Sequence, residues 1–166
     1  NNAAVFSRIT MAPFWELPLD EWDRAMQVNV TGSFYCARAV APAMREAKWG
    51  RIVNVTSGTV ALGSANYLHY ITSKSAMIGM TRSMATELGA HGITVNAVAP
   101  GFVANEASQG LSDMYDKYLE MTVMAQSIKE ATVPKDIVGT VLYLASPLAA
   151  TVTGQVCPVD NGLCKT

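Results

Sequence analysis

Charge is scarce in this sequence. Only 15% of its 166 residues are Asp, Glu, Lys or Arg, and the formal net charge is −1. That balance gives no electrostatic ground for a nucleic-acid partner or for docking on a strongly anionic surface. Cysteine is also rare: three, at positions 36, 157 and 164, an odd number without C-x-x-C spacing. Such a set builds neither a disulfide framework nor a zinc site, and reduced thiols in a cytosol are the expectation. No apolar run approaches the roughly 20 residues of a membrane-spanning helix. No basic-then-apolar leader is visible. The expectation is a cytoplasmic protein with no membrane or nucleic-acid partner and no metal. No G-x-S-x-G elbow surrounds any serine, which disfavours a Ser-His-Asp hydrolase. No G-x-G-x-x-G or G-x-x-x-G-x-G pattern occurs, and the chain opens Asn1-Asn2-Ala3-Ala4-Val5 without an initiator Met.

Half of the residues are apolar, ample for the core of one domain. There is no internal repeat, low-complexity tract or linker. Residues 20–47 carry Trp22, Met26, Val30, Phe34, Ala37, Val40 and Met44 at helical spacing, with Asp20 as the expected N-cap and Gly50 as the stop. Arg51 to Thr56 is short and β-branched and predicts a strand. Ser57 to Ala65 predicts a loop. A second helix, apolar on several sides, is expected from Tyr67 to Leu88, stopped by Gly89 and Gly92. Ile93 to Ala99 predicts a strand, and Pro100-Gly101 a turn. Glu106 to Ile128 predicts a lid-like helix pair. Pro134 opens a last helix, Lys135 to Ser146. Gly154 to Val159 predicts a final strand whose Pro158 leaves its ladder incomplete. This alternation implies βαβ units in a parallel, doubly wound sheet. Ligands then sit beyond the carboxyl ends of the strands, where the loops at Ser57 and Pro100 emerge.

The chemistry concentrates in Tyr70-Ile71-Thr72-Ser73-Lys74. Tyr and Lys four apart share one helix face. A free phenol titrates near pH 10, and a neighbouring ammonium lowers that value. Such a phenol can give a proton to a developing alkoxide or take one from an alcohol. Y-x-x-x-K alone occurs by chance in many helices. Ser57, thirteen residues earlier at a strand end, adds a hydroxyl for the same substrate oxygen. Tyr67 has Ile71, not a lysine, four residues on. His69 is expected to pack or line a pocket rather than act as a base.

Several blocks together resemble the short-chain dehydrogenase/reductase family, in its subgroup similar to 3-oxoacyl-carrier-protein reductases and secondary-alcohol dehydrogenases. They are NNAA (1–4), VNVTGSF (28–34), GRIVNVTS (50–57), YITSKSA (70–76), ELGAHGITVNAVAPG (87–101) and VTGQVCPVDNG (152–162). The resemblance implies Tyr70 as general acid/base, Lys74 as its partner and a ribose ligand, Ser57 as substrate-orienting hydroxyl, and Asn29 as holder of a relay water. It implies NAD or NADP as cofactor, in a site walled by Asn2, Ala3, Tyr70, Lys74, Pro100, Gly101, Val103 and Asn105, with Asn2 starting the adenosine-side wall and Pro100-Gly101 and Val103 forming the turn that cups the nicotinamide.

The sequence departs from the family at Ala4, at Asn105 where threonine is common, and at Asn161-Gly162 in place of paired glycines. The implied fold is the C-terminal two-thirds of a doubly wound Rossmann-type parallel sheet flanked by helices. Its Gly-rich βαβ portion, on the order of 70–90 residues, would precede Asn1. By this reading the intact protein is a homodimer or homotetramer paired through helices 20–47 and 67–88. It interconverts a hydrophobic secondary alcohol and its ketone, or a 3-oxoacyl compound, as small-molecule substrate. Met114, Tyr115, Tyr118, Leu119, Met121 and Met124 are expected over the pocket. The rival reading is a non-catalytic relative acting as a binding or dimerisation module. The absent phosphate loop favours it, and the retained Asn29, Ser57, Tyr70 and Lys74 oppose it.

Overall fold

The computed structural model describes residues 1–6, 9–109 and 115–165. Met114 therefore lies outside the described residues. The chain runs α1 (Leu19–Ala25), α2 (Gly32–Ala47), β1 (Gly50–Val55), α3 (Thr59–Leu62), α4 (Leu68–Leu88), β2 (Ile93–Pro100), α5 (Glu106–Gln109), α6 (Tyr115–Ala125), α7 (Pro134–Ala145) and β3 (Val156–Val159). The three strands form a parallel sheet in the order β1-β2-β3, with Ile52 opposite Val95 and Ala97 opposite Val156. Asn1 lies along the other edge of β1: its amine donates to the Val53 carbonyl at 2.8 Å, and its carbonyl accepts from the Val55 amide at 2.9 Å. Pro158 is tolerated because, among the described residues, β3 pairs with β2 alone.

Alternation along the strands sends apolar side chains to both faces. On one face Ile52 and Val95 pack with Ala37 of α2 and Ala85 of α4. On the other, Val98 packs with Leu144 of α7 and with Ala149. Helices thus cover both sides of the sheet, as a parallel sheet requires. The buried asparagines of the strands are satisfied: Asn54 donates to the Thr81 hydroxyl at 2.8 Å, and Asn96 donates to the Val152 carbonyl at 2.7 Å. Gly92 (φ 71°) turns the chain into β2, and a Cβ there would meet the Lys48 carbonyl oxygen at 2.6 Å. None of the three cysteines is paired.

The region 20–47 differs from its sequence reading in four ways. Asp20 is not the cap. Pro18 occupies the cap position, and Asp20 and Glu21 lie inside the first turn, facing the positive end of the helix. The helix is not continuous, because a π-helical turn over Met26–Thr31 separates α1 from α2. The buried face is not the large apolar stripe either. It is Ala25, Asn29, Ser33 and Ala37, whereas Phe34 and Val40 are exposed. Small side chains at steps of four let this segment lie close against α4. Gly50 begins β1, and the turn before it falls on Lys48 (φ 51°). No described helix is long and apolar enough to cross a membrane.

Candidate active site

Two loops leave the carboxyl ends of β1 and β2 side by side. The Thr56 amide donates to the Val98 carbonyl, and the Gly58 amide to the Pro100 carbonyl, each at 2.8 Å. The first turns of α4 are fastened to the same place. The Thr56 hydroxyl donates to the Lys74 carbonyl at 2.7 Å, and the Lys74 amine donates to the Val55 carbonyl at 2.8 Å. Ser57, Tyr70 and Lys74 are thereby all buried around one cavity of about 560 Å³.

Asn29 holds this arrangement from behind. It is buried on the π-helical turn, where an extra residue turns its amide inward. Its Nδ2 donates to the Ser73 hydroxyl at 2.9 Å, and that hydroxyl donates to the Tyr70 carbonyl at 2.7 Å. Its Oδ1 accepts from the Val5 amide at 2.8 Å. Asn29 thus joins residues 1–6 to α4 without lining the cavity itself.

Burial raises the Tyr70 phenol above its ordinary value, and a hydrogen bond from Ser57 partly opposes that. Burial lowers the Lys74 amine to about 8. The expected lowering of the phenol by the ammonium does not prevail in this arrangement. The Lys74 nitrogen is held by the Val55 carbonyl and lies 5.7 Å from the centre of the Tyr70 ring. Both groups are driven towards their neutral forms, so Tyr70 rests as a proton donor.

Of the other residues assigned from sequence, Asn2, Pro100, Gly101, Val103 and Asn105 line the cavity. Ala3 is exposed and does not line it; Ala4 does. Asn105 also caps α5, its Oδ1 accepting from the Ser108 amide at 2.9 Å. Asn161 (φ 54°) and Gly162 (φ 72°) keep the left-handed turn expected of them. His69 is fully buried and does not line the cavity. Tyr67 does line it.

From α6 only Tyr115, Tyr118 and Thr122 reach the cavity. These positions share one helix face, and Met121 and Met124 on other faces are exposed. Leu119 does not line it either. The aromatic wall is completed by Phe6 and Phe102, which sequence reading missed. Both sit in irregular segments, where no periodicity marks an inward side chain. The Phe6 ring centre lies 5.1 Å from that of Tyr70. Among the described residues no group of three or more His, Cys, Asp or Glu is placed to hold a metal ion.

A family model described as enoyl-(acyl carrier protein) reductase matches residues 1–164. The chain belongs to the short-chain dehydrogenase/reductase family. A 3-oxoacyl-[acyl-carrier-protein] reductase of Synechocystis is 36% identical over 98% of this chain and 63% of its own length. Short-chain reductase protein NovJ of Streptomyces niveus is 38% identical over 86% of this chain and 55% of its own. A solved 3-oxoacyl-[acyl-carrier protein] reductase of Brucella melitensis superposes with a TM-score of 0.88 at 36% identity, covering 100% of this chain and 62% of that one. A Brucella melitensis reductase with bound NAD gives 0.85 at 34% identity, covering 100% of this chain and 61% of that one. The chain therefore spans about three-fifths of the length of such family members, and its fold is theirs: Rossmann-type and parallel, with helices on both faces.

Proposed function

We propose that the chain carries the acid/base and substrate-binding half of an NAD(P)-dependent oxidoreductase that interconverts a hydrophobic secondary alcohol and its ketone, of the 3-oxoacyl or aryl type. One observation carries this reading: Ser57, Tyr70 and Lys74 converge on a cavity that Phe6, Tyr67, Phe102, Tyr115 and Tyr118 also line and that, among the described residues, no carboxylate lines. Relatives solved with NAD and with NADP support the cofactor class.

The residues present fit the nicotinamide-ribose portion of that cofactor. The Lys74 amine and the Asn2 side chain line the cavity beside the Pro100-Gly101 turn, whose close approach to Asp160 leaves 2.8 Å for a Cβ at Gly101. No Gly-rich loop of the kind that cradles a pyrophosphate occurs in the chain. The bound dinucleotide would supply or accept the hydride. Tyr70 then donates its phenolic proton to the carbonyl oxygen, or takes it back from the alcohol. Ser57 donates a hydrogen bond to the same oxygen, and Lys74 lends positive charge beside the phenol.

The chain by itself is expected to bind dinucleotide poorly and turn over slowly. The test pairs isothermal titration of NAD(P)H with absorbance assays on hydrophobic ketones. Tyr70→Phe should cost about 100- to 10,000-fold of whatever rate is seen. A variant as fast as the native chain, or activity confined to charged sugars, sinks the reading.

Homo-oligomerisation is proposed through the outer face of α2, where Phe34, Tyr35 and Val40 are exposed. Light scattering that returns a monomer across the working concentration range counts against it.

A further inference from the structure

The loop after β1 contains a second hydroxyl, on Thr59, that the proposed chemistry leaves unused. The Thr59 hydroxyl lies 2.9 Å from the Ser57 Oγ, and the Thr59 amide donates to the same oxygen at 3.3 Å. We infer that Thr59 is a positioning residue that commits the Ser57 hydroxyl to donate into the cavity. The inference rests on the role proposed above for Ser57 and Tyr70.

A serine hydroxyl has one proton and two acceptor sites. If Ser57 gave its proton to Thr59, it would present only a lone pair to a substrate oxygen, and the contact would be repulsive. Thr59 removes that choice. Its hydroxyl donates to the Ser57 Oγ at 2.9 Å and so occupies one of that oxygen's two acceptor sites. The Thr59 amide takes up the second acceptor site of Ser57. The one remaining direction for the Ser57 proton is towards the cavity that it shares with Tyr70.

The loop holds Thr59 in place to do this. The Gly58 amide is tied to the Pro100 carbonyl at 2.8 Å, and a Cβ at Gly58 would crowd that oxygen at 3.3 Å. Thr59 opens α3, and the Ala61 amide closes the turn on the Gly58 carbonyl at 3.1 Å. Branching at Cβ restricts the threonine rotamer, so the hydroxyl stays aimed at its partner.

The experiment reads the Tyr70 phenol in the 166-residue chain, without cofactor or turnover. Ring-carbon NMR of labelled tyrosine resolves the six phenols, and Tyr70→Phe assigns the signal of interest. In Thr59→Val the Ser57 proton is released from its direction. The phenolate fraction of Tyr70 at a fixed alkaline pH should then fall about threefold. Thr59→Ser should restore the native titration, Ser57→Ala should reproduce the fall, and the double variant should show no further change. Circular dichroism checks folding, and Thr59→Ala replaces the valine variant if that one does not fold. An unchanged Tyr70 titration in Thr59→Val, with a shifted one in Ser57→Ala, overturns the inference and leaves the proposed function standing. A titration unmoved in Ser57→Ala also overturns the inference, because the Ser57 proton then does not reach the phenol, and it too leaves the proposed function standing.

Discussion

The two halves of α4 share one backbone and bury opposite kinds of side chain. The first half buries His69, Tyr70, Ser73 and Lys74. The second buries Met77, Thr81 and Ala85 against the sheet, and Ala85 joins the core formed with Ile52 and Val95. Burial of Met77 removes apolar surface from water and stabilises the fold. Burial of Lys74 strips water from an amine that holds a single described carbonyl in return. One end of the helix thus holds the domain together, and the other end weakens it in order to place reactive groups.

If that division is right, the two halves should answer substitution with opposite signs. The largest effect is expected at Met77, which is 1% exposed. Met77→Ala should lower the unfolding free energy by about 2–5 kcal/mol in denaturant titrations. Lys74→Met should raise it by on the order of 2–3 kcal/mol at neutral pH, because the amine is pushed from 10.5 to about 8 by burial. The unfolded chain holds that proton more tightly than the folded one. The gap between variant and native protein is therefore full below pH 8 and closes as pH rises through 10.5. A destabilised Lys74→Met would break the comparison.

The smallest effect belongs to His69. Its ring is fully buried, its Nε2 lies 3.9 Å from a Glu21 carboxylate oxygen, and both ring nitrogens lack a hydrogen-bond partner among the described residues. Burial lowers its pKa below 6.5, and Glu21 offsets this in part. The unfolded histidine thus takes up a proton at a higher pH than the folded one. Stability should decline as pH falls below about 6.5, and His69→Gln should flatten that decline in thermal melts across the range. A native chain that gains stability on mild acidification would show that Glu21 outweighs burial.

What could be read from the sequence follows the same division. β1 and β2 were legible as β-branched runs, and α4 and α7 as long helical patterns, because burial on a regular element imposes a period. Tyr70, Lys74 and Ser57 were legible because their spacing is fixed by one helix turn and one strand end. The π-helical turn was not. Steps of four at residues 22, 26, 30 and 34 fit a helical stripe loosely, and steps of four at 25, 29, 33 and 37 mark the face that is actually buried. Small and polar residues carry little weight in a search for apolar periodicity. Phe6 and Phe102 stayed hidden because irregular backbone has no period to violate. The methionines of α6 misled for the converse reason: residue type suggested a pocket, and helix phase turned Met121 and Met124 outward.

Among the described strands β2 alone is paired with a strand on each side, and seven of its eight residues are buried. Its amides are expected to exchange with solvent through opening of the sheet itself, and those of β3 and the surface helices through local fraying, an order that hydrogen exchange would read. The Pro100-Gly101 turn continues directly from that central strand, and its Gly101 amide is tied to the Val159 carbonyl of β3. Local fraying elsewhere in the chain is then expected to leave the floor of the cavity in register.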